Sequence, residues 1–378
     1  MKAPRITFLT DILTPYTLAV LAALSERCHL TALFCSHSGT RALGWEFSDI
    51  PFRHRVIGGL TVRRRSHDAT DFYLSPRIFA AVARSRPEVI ISGGFSFPSL
   101  YAAAYARCAG AGLIIQSDGT ARSEASIGRG QRITRRILVH ASGAATGNSG
   151  QATERFVELG WTPDRVFLVP HTTNVGPLHE VARSRRYSAD ERLSVLHVGR
   201  LIPRKGVDRL VSAVRLARER GADVRLVLVG SGSEEAALRA QAERLAVPVE
   251  SHGFVDQAGL PSHYAAADAF AFPTLDDPFG IVLLEAAASG LPLIASPHGG
   301  ATRDLVVEGE TGFVVEPDDL EAQARALVTL ARDPGMRERM GRSAYRRTLE
   351  RTPQAAADKY VEAAQWVRRQ RCSPRGSV

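Results

Sequence analysis

The sequence predicts an α/β protein made of two tandem domains, each a parallel sheet with helices on both faces. Three observations carry this. The chain is 378 residues long, room for about two or three domains at roughly 100 to 200 residues each. Short β-rich runs alternate with segments of helical period throughout, which is the rhythm of βαβ units. The rhythm breaks around 170–190 and then restarts.

In the first half, residues 6–10 read as a strand, 16–27 as a helix, 88–92 as a strand, 97–109 as a helix and 112–116 as a strand. The segment 170–190 shows neither period. Its Gly176-Pro177 pair is a turn signal and Arg183, Arg185 and Arg186 make it basic, so it reads as an interdomain linker. Strands are then expected at 193–198, 224–229, 269–272, 293–296 and 312–315, and helices at 207–220, 234–246, 280–289, 317–331 and 336–348. In 354–370, Ala357, Tyr360, Val361, Ala364 and Val367 recur at helical spacing. The expected organisation is therefore a first domain over 1–175, a linker over 176–190, a second domain over 191–352 and a closing helix over 353–378.

Composition narrows the function classes. At 44% hydrophobic and 23% charged residues the chain can bury a core, which argues against disorder. Its net charge is +9, and 20 basic against 13 acidic residues up to Glu180 place +7 of it in the first half. That excess favours an anionic partner. Cys28, Cys35, Cys108 and Cys372 lack metal or disulfide spacing, so reduced thiols in a cytoplasmic protein are expected, with no metal site. The apolar run 6–9 is too short for a secretion signal. The run 18–24 is far below the roughly 20 residues that span a bilayer, so any membrane contact is expected to be peripheral. One basic stretch, 129–139, reads as a helix with arginines on one side and Ile133, Ile137 and Leu138 on the other. It is either a solvated face or an interfacial one.

Ligands of open parallel sheets bind at the carboxyl ends of strands, where helix N-termini offer unpaired N–H groups. The first such loop of the second domain runs from His197 to Gly206. Gly199 ends the strand, Arg200 and Lys205 set two cations around the turn, and Gly206 opens a helix. Such a loop can hold a diphosphate, although a basic surface turn has the same composition. A second loop carries Asp277, then Phe279, Gly280 and Ile281 at a helix start, then Glu285 eight residues after the aspartate. Carboxylates only accept hydrogen bonds and so suit ligand hydroxyls. The alternatives are that Asp277 caps the helix and that Glu285 pairs with a base.

At these residues the sequence resembles family 4 of the retaining GT-B glycosyltransferases, also called glycosyltransferase group 1. The likeness lies in Gly199-Arg200, Lys205-Gly206, Asp277-Pro-Phe-Gly, Glu285-Ala and Gly290-Leu-Pro, and Asp277 and Glu285 are spaced like the family's paired glutamates. It implies two Rossmann-like domains with parallel sheets facing across a cleft, and a last helix that crosses back to the first domain. It also implies a retaining, metal-independent transfer of a sugar from a UDP- or GDP-sugar to a saccharide or lipid-linked hydroxyl acceptor in cell-envelope or polysaccharide assembly. Arg200 and Lys205 would bind the diphosphate and stabilise the leaving charge. Asp277 would contact sugar hydroxyls, the backbone from Phe279 through Gly280 to Ile281 would hold sugar and phosphate, and Glu285 would take the ribose. Phe254, after Gly253, falls in the stretch that lines the base.

Three departures from the pattern stand out. Asp277 replaces the usual glutamate and reaches one methylene less far. The loop 10–16 has Pro15-Tyr16 in place of paired glycines. The loop at Ser117, Asp118 and Gly119 lacks the histidine many members carry, which leaves Asp118 as the candidate to act on the acceptor hydroxyl. His171, without a partner carboxylate in the sequence, reads as structural. No cofactor or metal is expected, because Arg200, Lys205 and a helix N-terminus supply positive field. The expected site is cytoplasmic, on the inner face of the cell membrane, with an anionic membrane surface as a partner and no nucleic acid. The rival readings are a nucleotide-sugar epimerase of the same fold, a silent sugar-nucleotide-binding protein, and a nucleic-acid binder suggested by the charge alone.

Overall fold

The computed structural model describes residues 3–36, 47, 49–64, 70–187 and 192–372. The chain forms two compact units, Met1–Asn174 with Thr352–Val378, and Val175–Arg351.

The first unit contributes β1 (Arg5–Thr10), β2 (His29–Phe34), β3 (His54–Val56), β4 (Leu60–Arg64), β5 (Thr70–Leu74), β6 (Val89–Gly93), β7 (Gly112–Ser117), β8 (Ala144–Gly147) and β9 (Val166–Leu168). Seven of these make a parallel sheet in the order β3-β2-β1-β6-β7-β8-β9, while β4 and β5 pair as an antiparallel hairpin. The central strands are buried on both faces, as Ile6, Phe8 and Leu9 of β1 show, and this is why they read as unbroken apolar runs rather than alternating ones. The helix Pro15–Ser25 starts where Thr14 accepts a 3.1 Å hydrogen bond from the Thr17 amide, and Pro15 occupies a first-turn position that needs no donor. The last helix, Pro353–Cys372, belongs to this unit. It buries Ala357, Tyr360, Ala364 and Val367, and Tyr360 meets Phe8 edge-on at 5.5 Å.

The second unit contributes β10 (Leu193–Val198), β11 (Val224–Val229), β12 (Val249–Ser251), β13 (Ala269–Phe272), β14 (Leu293–Ala295) and β15 (Gly312–Val314). They form a parallel sheet in the order β12-β11-β10-β13-β14-β15. The order reverses direction between β10 and β13, a switch point that opens a crevice at their carboxyl ends. One core lies between the sheet and the helices Val207–Glu219 and Leu320–Arg332, and a second packs around Ile281–Ala288.

Two sequence expectations need correction. The linker over 176–190 instead contains a helix, Gly176–Ser184, that packs into the second unit. Leu178 and His179 are buried, and His179 Nε2 lies 3.1 Å from Thr348 Oγ1. The Gly-Pro pair marks this helix's first turn rather than a break. Arg185, just beyond it, donates to the carbonyls of Ser289, Ala267 and Tyr264 at 2.8, 2.7 and 2.5 Å. The remainder of that expected linker, from 188, and the chain end from 373 lie outside the described residues.

The second correction concerns the arginine-rich helix, Arg129–Ala141. Its arginines are not segregated from its apolar residues. Leu138 and Arg135 point inward, with Arg135 paired to the buried Glu124 and its guanidinium 4.5 Å from the Phe95 ring centroid. Ile133 and Ile137 instead share the exposed face with Arg129, Arg132 and Arg136. Residues at these positions are three and four apart and so form one stripe.

Candidate active site

At the carboxyl edge of the second unit's sheet, the loop after β10 and the loop after β13 are stitched together. Leu275 N donates to Arg204 O at 2.8 Å, Thr274 Oγ1 donates to the same carbonyl at 3.1 Å, and an Arg204 guanidinium nitrogen donates to Asp276 O at 2.8 Å. Gly206 permits this approach. It sits at φ +65°, and a Cβ there would lie 2.2 Å from the Pro273 carbonyl oxygen.

The stitching delivers Lys205 to Asp277. The ammonium donates to Asp277 Oδ2, with the two side chains only 10% and 15% exposed. Burial pulls the Lys205 ammonium below its ordinary pKa. Burial opposes ionisation of Asp277 most strongly of all, but the charge and hydrogen bond of Lys205, with the Arg204 charge and the Phe279 amide, together outweigh it and hold the carboxyl below the usual range. Asp277 Oδ1 accepts from Phe279 N at 3.2 Å, so the aspartate does organise the turn before the helix Ile281–Ala288. Phe279 itself is buried, and its amide is thereby taken. The amides of Gly280 and Ile281 make no hydrogen bond to a described residue. Gly280, at φ +86°, packs so closely that a Cβ would meet the Phe272 ring at 2.5 Å.

Glu285, one turn into that helix, pairs with no base among the described residues. Its partner is the buried Tyr264, whose hydroxyl donates to Glu285 Oε2 at 2.9 Å. Burial pushes the carboxyl up to about 7, even though the tyrosine bond works the other way. Arg200 is half-buried beside Lys205 in the same loop, following Gly199, whose amide bonds Val229 O at 2.9 Å. Phe254 is exposed, and the Gly253 carbonyl before it accepts from Gly230 N at 2.6 Å on the same edge of the sheet.

Sequence reasoning thus located Gly199, Arg200, Lys205, Asp277, Phe279, Gly280, Ile281 and Glu285 on the edge where the structure gathers them. It did not find Tyr264, whose role shows only through the tertiary contact, nor Arg185, whose three carbonyl bonds end the helices carrying Tyr264 and Glu285. It also passed over His197, fully buried, with Nδ1 3.1 Å from Ala271 O and a pKa lowered by burial to about 4.

Asp118 belongs to the first unit. There a cavity of about 310 Å³ opens at the carboxyl ends of β1, β6 and β7, lined by Asp11, Gln116, Asp118, Asn148 and His171 among others. His171, read from sequence as structural, stands edge-on to Tyr16 at 5.3 Å. Asn148 was also missed; it follows β8, a strand the sequence reading passed over. No group of three or more metal-binding side chains is present among the described residues. No described helix is long and apolar enough to cross a membrane.

Two α/β units, each built on its own parallel sheet, are the fold of the GT-B glycosyltransferases. Residues 180–347, most of the second unit, match the family described as glycosyl transferases group 1. A GDP-mannose-dependent alpha-(1-6)-phosphatidylinositol monomannoside mannosyltransferase of Mycolicibacterium smegmatis is 39% identical over 171 residues, 42% of this chain and 44% of that protein. A phosphatidyl-myo-inositol mannosyltransferase of Mycobacterium leprae is 38% identical over 173 residues, 45% and 46% of the two chains. The chain thus spans less than half the length of these curated relatives. Among solved structures, Anabaena HepE in complex with UDP matches with a TM-score of 0.76 at 19% identity, over 97% of this chain and 100% of that one. The lipopolysaccharide outer core galactosyltransferase WaaB matches at 0.73 and 16%, over 97% and 99%. At these identities the likeness is one of fold.

Proposed function

We propose that this protein is a retaining, metal-independent glycosyltransferase that moves a sugar from a nucleotide-diphosphate donor to a hydroxyl of an envelope glycolipid. The observation that carries the reading is the Lys205–Asp277 pair set beside the unpaired amides of Gly280 and Ile281, with Glu285 one turn further along the same helix. As the glycosidic bond to the diphosphate breaks, negative charge grows on the leaving oxygens. Arg200 and Lys205 stabilise that charge in a site already organised for it, and this does the work a metal would otherwise do. Asp277 orients Lys205 and offers an acceptor to the sugar hydroxyls, while Glu285 accepts from the ribose. The acceptor sits in the first unit, where Asp118 orients or deprotonates its hydroxyl, and closure around both substrates would keep water from the donor.

GDP-mannose is the donor this reading favours, because the M. smegmatis relative is named as GDP-mannose-dependent. The acceptor carries a lipid, as the phosphatidylinositol named for the same relatives supports. The outer face of Arg129–Ala141, with Arg129, Arg132 and Arg136 around Ile133 and Ile137, would then rest on the anionic cytoplasmic leaflet.

The test is incubation of the purified protein with GDP-mannose or UDP-glucose and phosphatidylinositol vesicles, with mass spectrometry of the lipid and quantification of free nucleoside diphosphate. Hexosylated lipid with equimolar nucleoside diphosphate is expected. Interconversion of nucleotide sugars without transfer would favour an epimerase.

A further inference from the structure

We propose that Glu124, held by Arg135 and Arg155, is a positioning residue that fixes the turn carrying Asp118. This rests on the reading that Asp118 acts on the acceptor hydroxyl, and it adds the device that sets where Asp118 stands.

Asp118 does not place itself. It is half-buried, and its carboxylate makes no hydrogen bond or ion pair to another described residue. Its position therefore follows from the backbone on either side. Before it, Ser117 Oγ accepts from the Gly119 amide at 3.0 Å. After it, Thr120 and Ser123 close a turn reciprocally, Thr120 N donating to Ser123 Oγ at 2.9 Å and Ser123 N to Thr120 Oγ1 at 3.2 Å. The Glu124 amide completes that turn by donating to Thr120 O at 3.1 Å.

The Glu124 side chain then reaches back to the start of the turn. A Cβ on Gly119 would lie 2.7 Å from Glu124 Oε1. Gly119 is not in the left-handed region, so the carboxylate, and not backbone conformation, excludes a side chain beside Asp118. The carboxylate in turn is clamped. Arg135 donates to both of its oxygens, Nη2 to Oε1 and Nε to Oε2 at 3.2 Å, and Arg155 Nε donates to Oε2 at 3.0 Å. Arg135 comes from the helix Arg129–Ala141 and Arg155 from the helix Gly150–Leu159, so two helices grip one buried carboxylate. Stability alone does not call for this, because buried ion sets are often no more stabilising than apolar side chains of similar volume. What three charge-assisted bonds add is direction, since together they hold the carboxylate in one place against the Asp118 turn.

The test is a double-variant cycle on the full chain. Glu124→Asp keeps the charge and draws the carboxylate back by one methylene, and it is made alone and together with Asp118→Ala. Three quantities are measured: hydrogen exchange over residues 117–124, GDP affinity by calorimetry, and kcat for transfer from GDP-mannose to phosphatidylinositol. Glu124→Asp is expected to speed exchange across the turn, to leave GDP affinity unchanged, and to lower kcat at least about tenfold, the scale on which a small misplacement acts. In the Asp118→Ala background it should lower kcat no further, because it acts through Asp118. Unchanged exchange in a folded Glu124→Asp protein overturns the proposal whether or not transfer is measurable. A wild-type kcat, or a loss that multiplies with that of Asp118→Ala, overturns it equally. If Glu124→Asp does not fold, Gly119→Ala takes its place, since its methyl group presses on the same contact from the other side, and the same outcomes decide. A wild-type chain that binds GDP but transfers no sugar counts against the proposed function, and the exchange result then decides the positioning role by itself.

Discussion

The hydroxyl of Tyr264 donates to Glu285 at 2.9 Å, and burial around this pair lifts the Glu285 carboxyl from 4.5 to about 7. Between those values the folded chain keeps a proton that the unfolded chain releases. The contribution to stability is therefore complete below pH 4.5 and is lost as pH rises through 7. Glu285→Gln should flatten this part of the stability profile, seen as a smaller fall in denaturation midpoint between about pH 5 and 8 than in the wild type. Nucleotide affinity should run the other way, rising with pH through 7, because the ionised carboxylate is the better acceptor for ribose hydroxyls. Calorimetric titration with GDP at several pH values checks this, and identical slopes in wild type and variant would refute the ribose role.

Lys205→Ala and Arg200→Ala should each lower turnover by about 10²-fold or more, the usual scale for charge stabilisation at a leaving group. Lys205→Ala carries a second effect. It leaves Asp277 buried without its cation, a change that typically costs about 3 to 5 kcal/mol. Thermal denaturation should therefore show a clear drop for Lys205→Ala, and the double variant Lys205→Ala with Asp277→Ala should recover part of it.

The exposed arginines of Arg129–Ala141 separate cleanly from the buried one. Replacing Arg129, Arg132 and Arg136 with Gln should abolish sedimentation with anionic vesicles at low salt, each basic residue near such a surface being worth about 1 kcal/mol. Nucleotide binding should be unaffected. Arg135→Gln should instead unfold the chain more readily, because it takes from the buried Glu124 one of its two guanidinium partners and leaves Arg155 alone to balance it. Sedimentation of the triple variant equal to that of the wild type would remove the membrane surface from the account.

Arg185→Ala should weaken nucleotide binding as well as stability. Its guanidinium closes the last carbonyls of the two helices that carry Tyr264 and Glu285, so its loss frees them to drift relative to each other. Arg185→Lys can reach at most part of the three-carbonyl set, and an intermediate affinity is expected by calorimetry.

Much of the second unit could be read from sequence because its determinants are local. The strands 193–198, 224–229 and 269–272 begin and end where periodicity places them, and the loops that follow carry the charged residues of the site. The first unit was less legible. β2 and β8 were passed over, as were the hairpin and the helix Gly150–Leu159, and with β8 went Asn148 at its carboxyl end. Short strands rich in alanine, such as Ala144–Gly147, carry little propensity of their own and are fixed by the neighbours they pair with. The helix Gly176–Ser184 was hidden for a related reason, since its nine residues bury only Leu178 and His179 and show too little of the period to be recognised. Partnerships across the fold, Tyr264 with Glu285 and Arg135 with Glu124, leave no trace in spacing at all.

The measurement that bears most directly on the central claim is transfer from GDP-mannose to phosphatidylinositol, with the anomeric configuration of the product read by NMR. The account expects hexosylated lipid with the donor's α-configuration kept, free GDP in equal amount, activity undiminished by chelators, and its loss in Lys205→Ala. A wild-type protein that binds neither GDP-mannose nor UDP-glucose, or that yields product as readily with Lys205 replaced, would contradict it.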